Sequence, residues 1–180
     1  MRRYILAFGS YLGAFWIFKF FLFSQGLKVP FFSFLYVGLT LCVPFVAYRM
    51  VRSYRDRAQQ GVISFGQAWL FTTALYVIAA ILTAVIYYIY FRYINQYLLV
   101  DYYKTLFDAM LANPVPEGMQ FYADQIDDMA QDAIAAARAL TPVDITLKFL
   151  SRNVIAGLLL AIPTALIVMR RKKNFDEPAS

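Results

Sequence analysis

Four long apolar blocks, separated by charged segments, constrain this chain more than any other feature of its sequence. They predict spans at residues 4–23, 31–48, 67–91 and 150–169, the last built on a shorter apolar run at 154–169. Each span is near the length of about 20 residues that a helix needs to cross a bilayer core. The chain of 180 residues is 61% hydrophobic, whereas soluble domains are nearer 45–50% apolar. The sequence therefore predicts an all-α, polytopic membrane protein: one membrane domain, residues 1–180, with four transmembrane helices.

Basic residues flank these blocks in three segments: the N-terminus, the loop 49–66 and the tail 170–180. They are Arg2, Arg3, Arg49, Arg52, Arg55, Arg57, Arg170, Arg171, Lys172 and Lys173. Four spans place all three segments on the same side, and short basic flanks remain in the cytoplasm. We therefore expect both termini to be cytoplasmic. This placement also accounts for the net charge of +6 without a nucleic-acid partner.

The segment 92–146 falls on the other side and has the opposite charge, with eight acidic residues against three basic ones. Apolar residues recur in it at helical spacing before and after the breaker Asn113–Gly118. The two stripes are Ile94, Leu98, Tyr102, Leu106 and Ala109, then Tyr122, Ile126, Met129, Ala133, Ala137 and Leu140. We predict an extracytoplasmic amphipathic helical hairpin whose first helix continues from the third span.

Two short sequence patterns predict where helices begin. Ser64 and Gln67 form the pattern of a capping box at the start of the third span. Thr141 followed by Pro142 and Asp144 predicts that the helix of the fourth span begins well before its apolar block.

The residue inventory limits the chemistry that the chain can perform. It contains no histidine, which is the commonest general base and metal ligand, and its single cysteine, Cys42, allows no disulfide within the chain. We expect Cys42 to be a small buried apolar residue. No nucleophile, base and orienting group can be combined from the pattern, so we expect a protein that is not an enzyme and has no cofactor and no metal.

One stretch resembles a known family. Tyr54-Arg55-Asp56, followed by Gly61-x-Ile63-Ser64-Phe65-Gly66-Gln67-Ala68, resembles the signature of small four-span bacterial membrane proteins of unknown function. The resemblance implies an inner-membrane location, both ends inside and a long external segment between spans three and four. It implies no activity.

Three sets of residues are candidates for function or assembly. Basic residues near the outer boundary would contact a lipid phosphate: Lys19, Lys28, Arg92, Lys148 and Arg152. Residues of the loop would fix topology or dock a cytoplasmic partner: Arg52, Arg55, Asp56, Arg57, Ser64 and Gln67. Small residues at four-residue spacing would pack helices within the bundle or between subunits: Gly9, Gly13, Ala80, Ala84, Gly157, Ala161 and Ala165.

The function expected from these features is that of a scaffold or interaction subunit of the bacterial envelope, with membrane lipids, a second copy or an envelope membrane protein as partner. One alternative is the binding or flipping of a phosphate-bearing lipid of the polyprenyl type at the basic residues. Another is an envelope hydrolase or transferase that uses aspartates of the external hairpin, since two carboxylates suffice for glycoside chemistry.

Overall fold

The fold is all-helical, as predicted. The computed structural model describes residues 1–112 and 120–170, which leaves the breaker at 113–118 and the basic residues 171–173 outside the described part. The six helices are α1 (Arg2–Gly26), α2 (Pro30–Ala58), α3 (Phe65–Tyr93), α4 (Leu98–Leu111), α5 (Gln120–Ala139) and α6 (Pro142–Val168). Four of them, α1, α2, α3 and α6, are long and apolar enough to cross a membrane.

Both predicted helix starts are confirmed. Ser64 and Gln67 form a capping box at α3, and Thr141 and Asp144 form another at α6 with Pro142 in the first turn. In each box the side chains satisfy backbone N–H groups that have no partner within the helix.

Two helix ends differ from the prediction. α2 continues ten residues beyond the apolar block that ends at Tyr48, because its last turns bury Val51 and Tyr54 against the bundle. α3 does not continue into α4. The chain turns after Tyr93, where the Asn95 side chain accepts a hydrogen bond from the Tyr97 N–H at 2.9 Å, and such a local side-chain bond competes with the helix.

α3 lies at the centre of the bundle and packs on both α1 and α6, whereas α2 packs mainly on α1. Glycines allow α1 and α6 to approach α3 closely. A Cβ atom at Gly9 would lie 2.7 Å from Cγ2 of Ile78, and one at Gly157 would lie 2.6 Å from Cβ of Tyr76. The other small residues of the sequence pattern also lie in the interior: Gly13, Ala80, Ala84, Ala161 and Ala165.

The bundle has two ends with different contents. The loop end holds the start of α1, the link 59–64 and the end of α6. The hairpin end holds the link 27–29 together with α4 and α5, which pack on each other. A large apolar cluster runs from the loop end to the middle of the bundle. A smaller one, around Phe20, Tyr87 and Phe91, lies at the hairpin end.

The outer surface of the long helices is strongly apolar. Phe34 and Phe45 of α2 are 78% and 70% exposed, and Ile167 of α6 is 69% exposed. Surfaces of this kind are typical of contact with lipid or with a partner. Cys42 belongs to this outer surface of α2, so the expectation that it is buried was wrong.

Candidate functional site

A cavity of about 720 Å³ opens inside the bundle near the hairpin end, and all six helices contribute to its wall. Its α2 residues, among them Tyr36 and Val43, all precede Pro44 in the sequence, and its α6 residues all precede Pro163. The cavity therefore extends from the end of the bundle that holds α4 and α5 to its middle. Its volume falls within the range of about 300–1,000 Å³ that is usual for ligand sites.

Three of the five predicted basic residues line this cavity: Lys19 from α1, and Lys148 and Arg152 from α6. Arg152 lies close enough to repel the Lys19 ammonium group. Lys148 and Arg152 also border a shallow depression along α6, so they stand at the rim, whereas Lys19 is half-buried. The sequence placed these residues near one boundary, and the fold brings them together.

Aromatic rings accompany two of the three cations, Lys19 and Arg152, while Lys148 interacts electrostatically with Asp144 one turn earlier on α6. The Lys19 ammonium lies 5.2 Å from the centre of the Tyr36 ring, and the Arg152 guanidinium lies 4.7 Å from that of Phe149. Within the described residues, ion pairs form only at Asp56, far from the cavity. A ring holds a cation in place but does not neutralise it. The rim therefore keeps positive charge available for an anion.

Lys28 and Arg92, the other two predicted contacts, do not line the cavity. Both are exposed at the hairpin end, and the Arg92 guanidinium lies 5.9 Å from the Tyr93 ring centre. Hydropathy placed all five residues near the same boundary, but the rotation of each helix decides which of them face inward.

Sequence reasoning missed the aromatic and polar wall of the cavity. Trp16 and Tyr76 line it deeper in the bundle, and the Trp16 Nε1 and Tyr76 Oη atoms are buried without a hydrogen-bond partner in the described part of the chain. The available signal was polar-tipped aromatic residues in the middle of apolar blocks, where such tips usually find a partner when buried.

The loop end carries a second organised group of residues, centred on Arg55. Its guanidinium is buried, with 5% of the residue exposed, and donates from Nη1 to the carbonyl oxygen of Val168 at 2.9 Å. Its Nε donates to Asp56 at 2.8 Å, and Arg52 lies 3.7 Å from the same carboxylate. Arg55 thus stabilises the carboxyl end of α6, where a cation is favoured by the helix dipole.

The chain after α2 also attaches to the end of α6. Gly61 has φ of +80°, a conformation that suits glycine, and the turn leads to Ile63, which exchanges two backbone hydrogen bonds with Arg170 at 3.0 and 3.1 Å. We call this bridge, together with the Arg55–Val168 bond, the loop-end clasp. It joins α2 and the 59–64 link to α6.

Most of the residues that carry the family resemblance have structural roles at this end. The Tyr54 ring stacks on Phe71 at 3.9 Å, and its hydroxyl accepts a hydrogen bond from Gln59. Ser64 and Gln67 cap α3, and Ala68 is fully buried. Of the predicted docking residues, Arg55 is therefore buried in the interior. Arg52, Asp56 and Arg57 are exposed at the surface.

The aspartates of the hairpin do not converge on the cavity. Asp124, Asp127, Asp128 and Asp132 are exposed on α5, and Asp127 accepts a hydrogen bond from Gln131 one turn later at 2.9 Å. In the described ranges, no group of three or more acidic or cysteine side chains could hold a metal ion.

A comparison with protein families matches residues 7–170 to a family described as protein of unknown function (DUF4199). The chain belongs to this DUF4199 family. The match begins within α1 and covers the other long helices completely, together with the cavity and the loop-end clasp. Searches of curated proteins and of solved structures found no match. The family assignment therefore leaves function to be argued from the geometry.

Proposed function

We propose that this DUF4199 protein binds a phosphate-bearing lipid in the cavity. The phosphate lies at Lys19, Lys148 and Arg152, and the hydrocarbon extends toward Val43 and Leu160 in the apolar interior. The observation that carries the proposal is the convergence of three cations at one largely apolar cavity, none of them within 4.0 Å of a described carboxylate oxygen.

The energetics favour an anionic amphiphile over a neutral one. Unpaired charges near apolar surroundings are costly, and this cost is offset when an anion pairs with them. The Arg152 guanidinium can donate two parallel hydrogen bonds to phosphate oxygens, while the two lysines supply point charges from other directions. The chain of the lipid then covers apolar wall that water would otherwise contact.

The proposal places the protein in the bacterial inner membrane with both termini in the cytoplasm. Its support is the distribution of arginines, since Arg2, Arg3, Arg49, Arg57 and Arg170 all lie at the loop end. The hairpin end then faces the extracytoplasmic side, and the cavity receives its ligand from the outer leaflet.

The structure bears differently on the two other functions predicted from the sequence. The envelope scaffold or interaction subunit stays a prediction, because an exposed apolar surface serves lipid and protein partners alike. The hydrolase or transferase reading gains no support from the geometry, because the exposed aspartates of α5 share no cleft with the cavity.

Native mass spectrometry of the detergent-solubilised protein tests the proposal. The protein is titrated with dioleoyl phosphatidylglycerol and, in parallel, with dioleoylglycerol, which has the same chains and no phosphate. We expect tight binding of the phospholipid alone. The triple variant K19Q/K148Q/R152Q should bind it at least about tenfold more weakly, because hydrogen bonds to charged groups contribute about 1.5–3 kcal/mol each.

The matched control is the double variant K28Q/R92Q. It removes two cations from the same end of the bundle but outside the cavity, so its affinity should stay within about twofold of the parent protein. Equal affinity for the two lipids, or equal losses in the triple and double variants, would contradict the proposal.

A further inference from the structure

Two residues of the cavity wall carry buried polar atoms without a hydrogen-bond partner in the described part of the chain. Trp16 and Tyr76 line the cavity, and their polar atoms, Trp16 Nε1 and Tyr76 Oη, are buried beside it. Trp16 is 8% exposed and Tyr76 is 1% exposed. A buried donor without an acceptor costs about 1–3 kcal/mol, so two of them beside one cavity indicate an acceptor supplied from outside the chain.

Both residues lie deeper in the bundle than the cations. Trp16 precedes Lys19 by three residues on α1, which is about 4.5 Å along the helix axis. Tyr76 packs on Gly157, which follows Arg152 by five residues on α6, or about 7.5 Å. The two rings are neighbours, with centres 5.9 Å apart. The donors therefore form one pair, located about 4.5–7.5 Å below the cations along the helix axes.

We infer that the ligand is an ester-linked glycerophospholipid whose ester carbonyl groups accept hydrogen bonds from Trp16 and Tyr76. This inference rests on the proposed function and specifies its ligand class. In such a lipid the ester carbonyls follow the phosphate along the glycerol backbone, in the same order as the donors follow the cations. A polyprenyl phosphate has no acceptor beyond its phosphate, and it would leave both donors unsatisfied.

The test compares two lipids that differ only in these carbonyls. Dioleoyl phosphatidylglycerol and its dialkyl ether analogue carry the same phosphate and chains of the same length. Native mass spectrometry of the whole protein in detergent measures the affinity for each. We expect the ester lipid to bind more tightly by about two- to tenfold for each hydrogen bond formed.

Variants assign the preference to the two donors. W16F/Y76F removes both donors and should abolish the preference for the ester lipid while still binding the phosphate. The matched control is T73V. It removes another buried hydroxyl that has no partner in the described part of the chain, and Thr73 does not line the cavity. T73V should keep the preference of the parent protein.

The outcomes separate this inference from the proposed function. Equal binding of the ester and ether lipids by the parent protein would overturn the inference and leave phosphate binding intact. A preference that persists in W16F/Y76F would also overturn it. Binding of neither lipid would overturn the proposed function and the inference together. The comparison of the two lipids uses the parent protein, so it stands even if the double variant does not fold.

Discussion

Replacing Arg55 with methionine tests whether the loop-end clasp stabilises the bundle. The substitution keeps an apolar stem of similar length but removes every donor, so the Val168 carbonyl at the end of α6 loses its charged partner at 2.9 Å. A buried hydrogen bond to a charged group contributes about 1.5–3 kcal/mol. The contact with Asp56 adds little, because that carboxylate is 44% exposed. We therefore expect Arg55→Met to lower the free energy of unfolding by about 1.5–3 kcal/mol.

The assay is reversible unfolding in mixed micelles by titration with sodium dodecyl sulfate, followed by far-UV circular dichroism. The expected loss corresponds to roughly a tenfold to hundredfold change in the ratio of folded to unfolded protein. Arg57→Met is the matched control, since Arg57 lies in the same stretch but is exposed, and it should change stability by less than about 0.5 kcal/mol. If the two variants were equally stable, the Arg55–Val168 bond of the clasp would not stabilise the bundle.

Three further substitutions and one control, Gly38→Ala, probe packing, backbone geometry and capping by the same assay. Gly157→Ala should cost about 1–3 kcal/mol, because its Cβ would lie 2.6 Å from Cβ of Tyr76, whereas Gly38→Ala meets no atom within 4 Å and should not destabilise the protein. Gly61→Ala should be destabilising by about 1 kcal/mol, since φ at this position is +80°. Ser64→Ala removes the cap of α3 and should cost about 0.5–2 kcal/mol. Losses at Gly38 as large as those at Gly157 would refute the packing argument.

Features that depend on neighbours in the sequence were predictable. The four apolar blocks specified the number of long helices, and the capping boxes at Ser64 and Thr141 located two helix starts. Each of these signals acts within one helix or one turn. The end of α2 was less predictable, because burial of Val51 and Tyr54 against other helices, rather than hydropathy, extends it to Ala58.

Features that depend on distant segments were not predictable. Arg55 looked like one member of a basic loop, and its partner Val168 is 113 residues away in the sequence. Hydropathy placed Lys19, Lys28 and Arg92 near one boundary, but only Lys19 of these three faces the cavity. Trp16 carried no signal beyond its polar tip in an apolar block. Contacts between helices decide each of these cases, and no short-range pattern encodes them.

The central claim, that the cavity is a lipid site, is tested most directly by photocrosslinking. Phosphatidylglycerol with a diazirine in one acyl chain is bound at a one-to-one ratio in detergent and irradiated, and the labelled positions are mapped by peptide mass spectrometry. The account predicts labels on cavity residues such as Val43, Ala156 and Leu160, and their loss in K19Q/K148Q/R152Q. Labels confined to the outer surface, at positions such as Phe34 and Ile167, would contradict it.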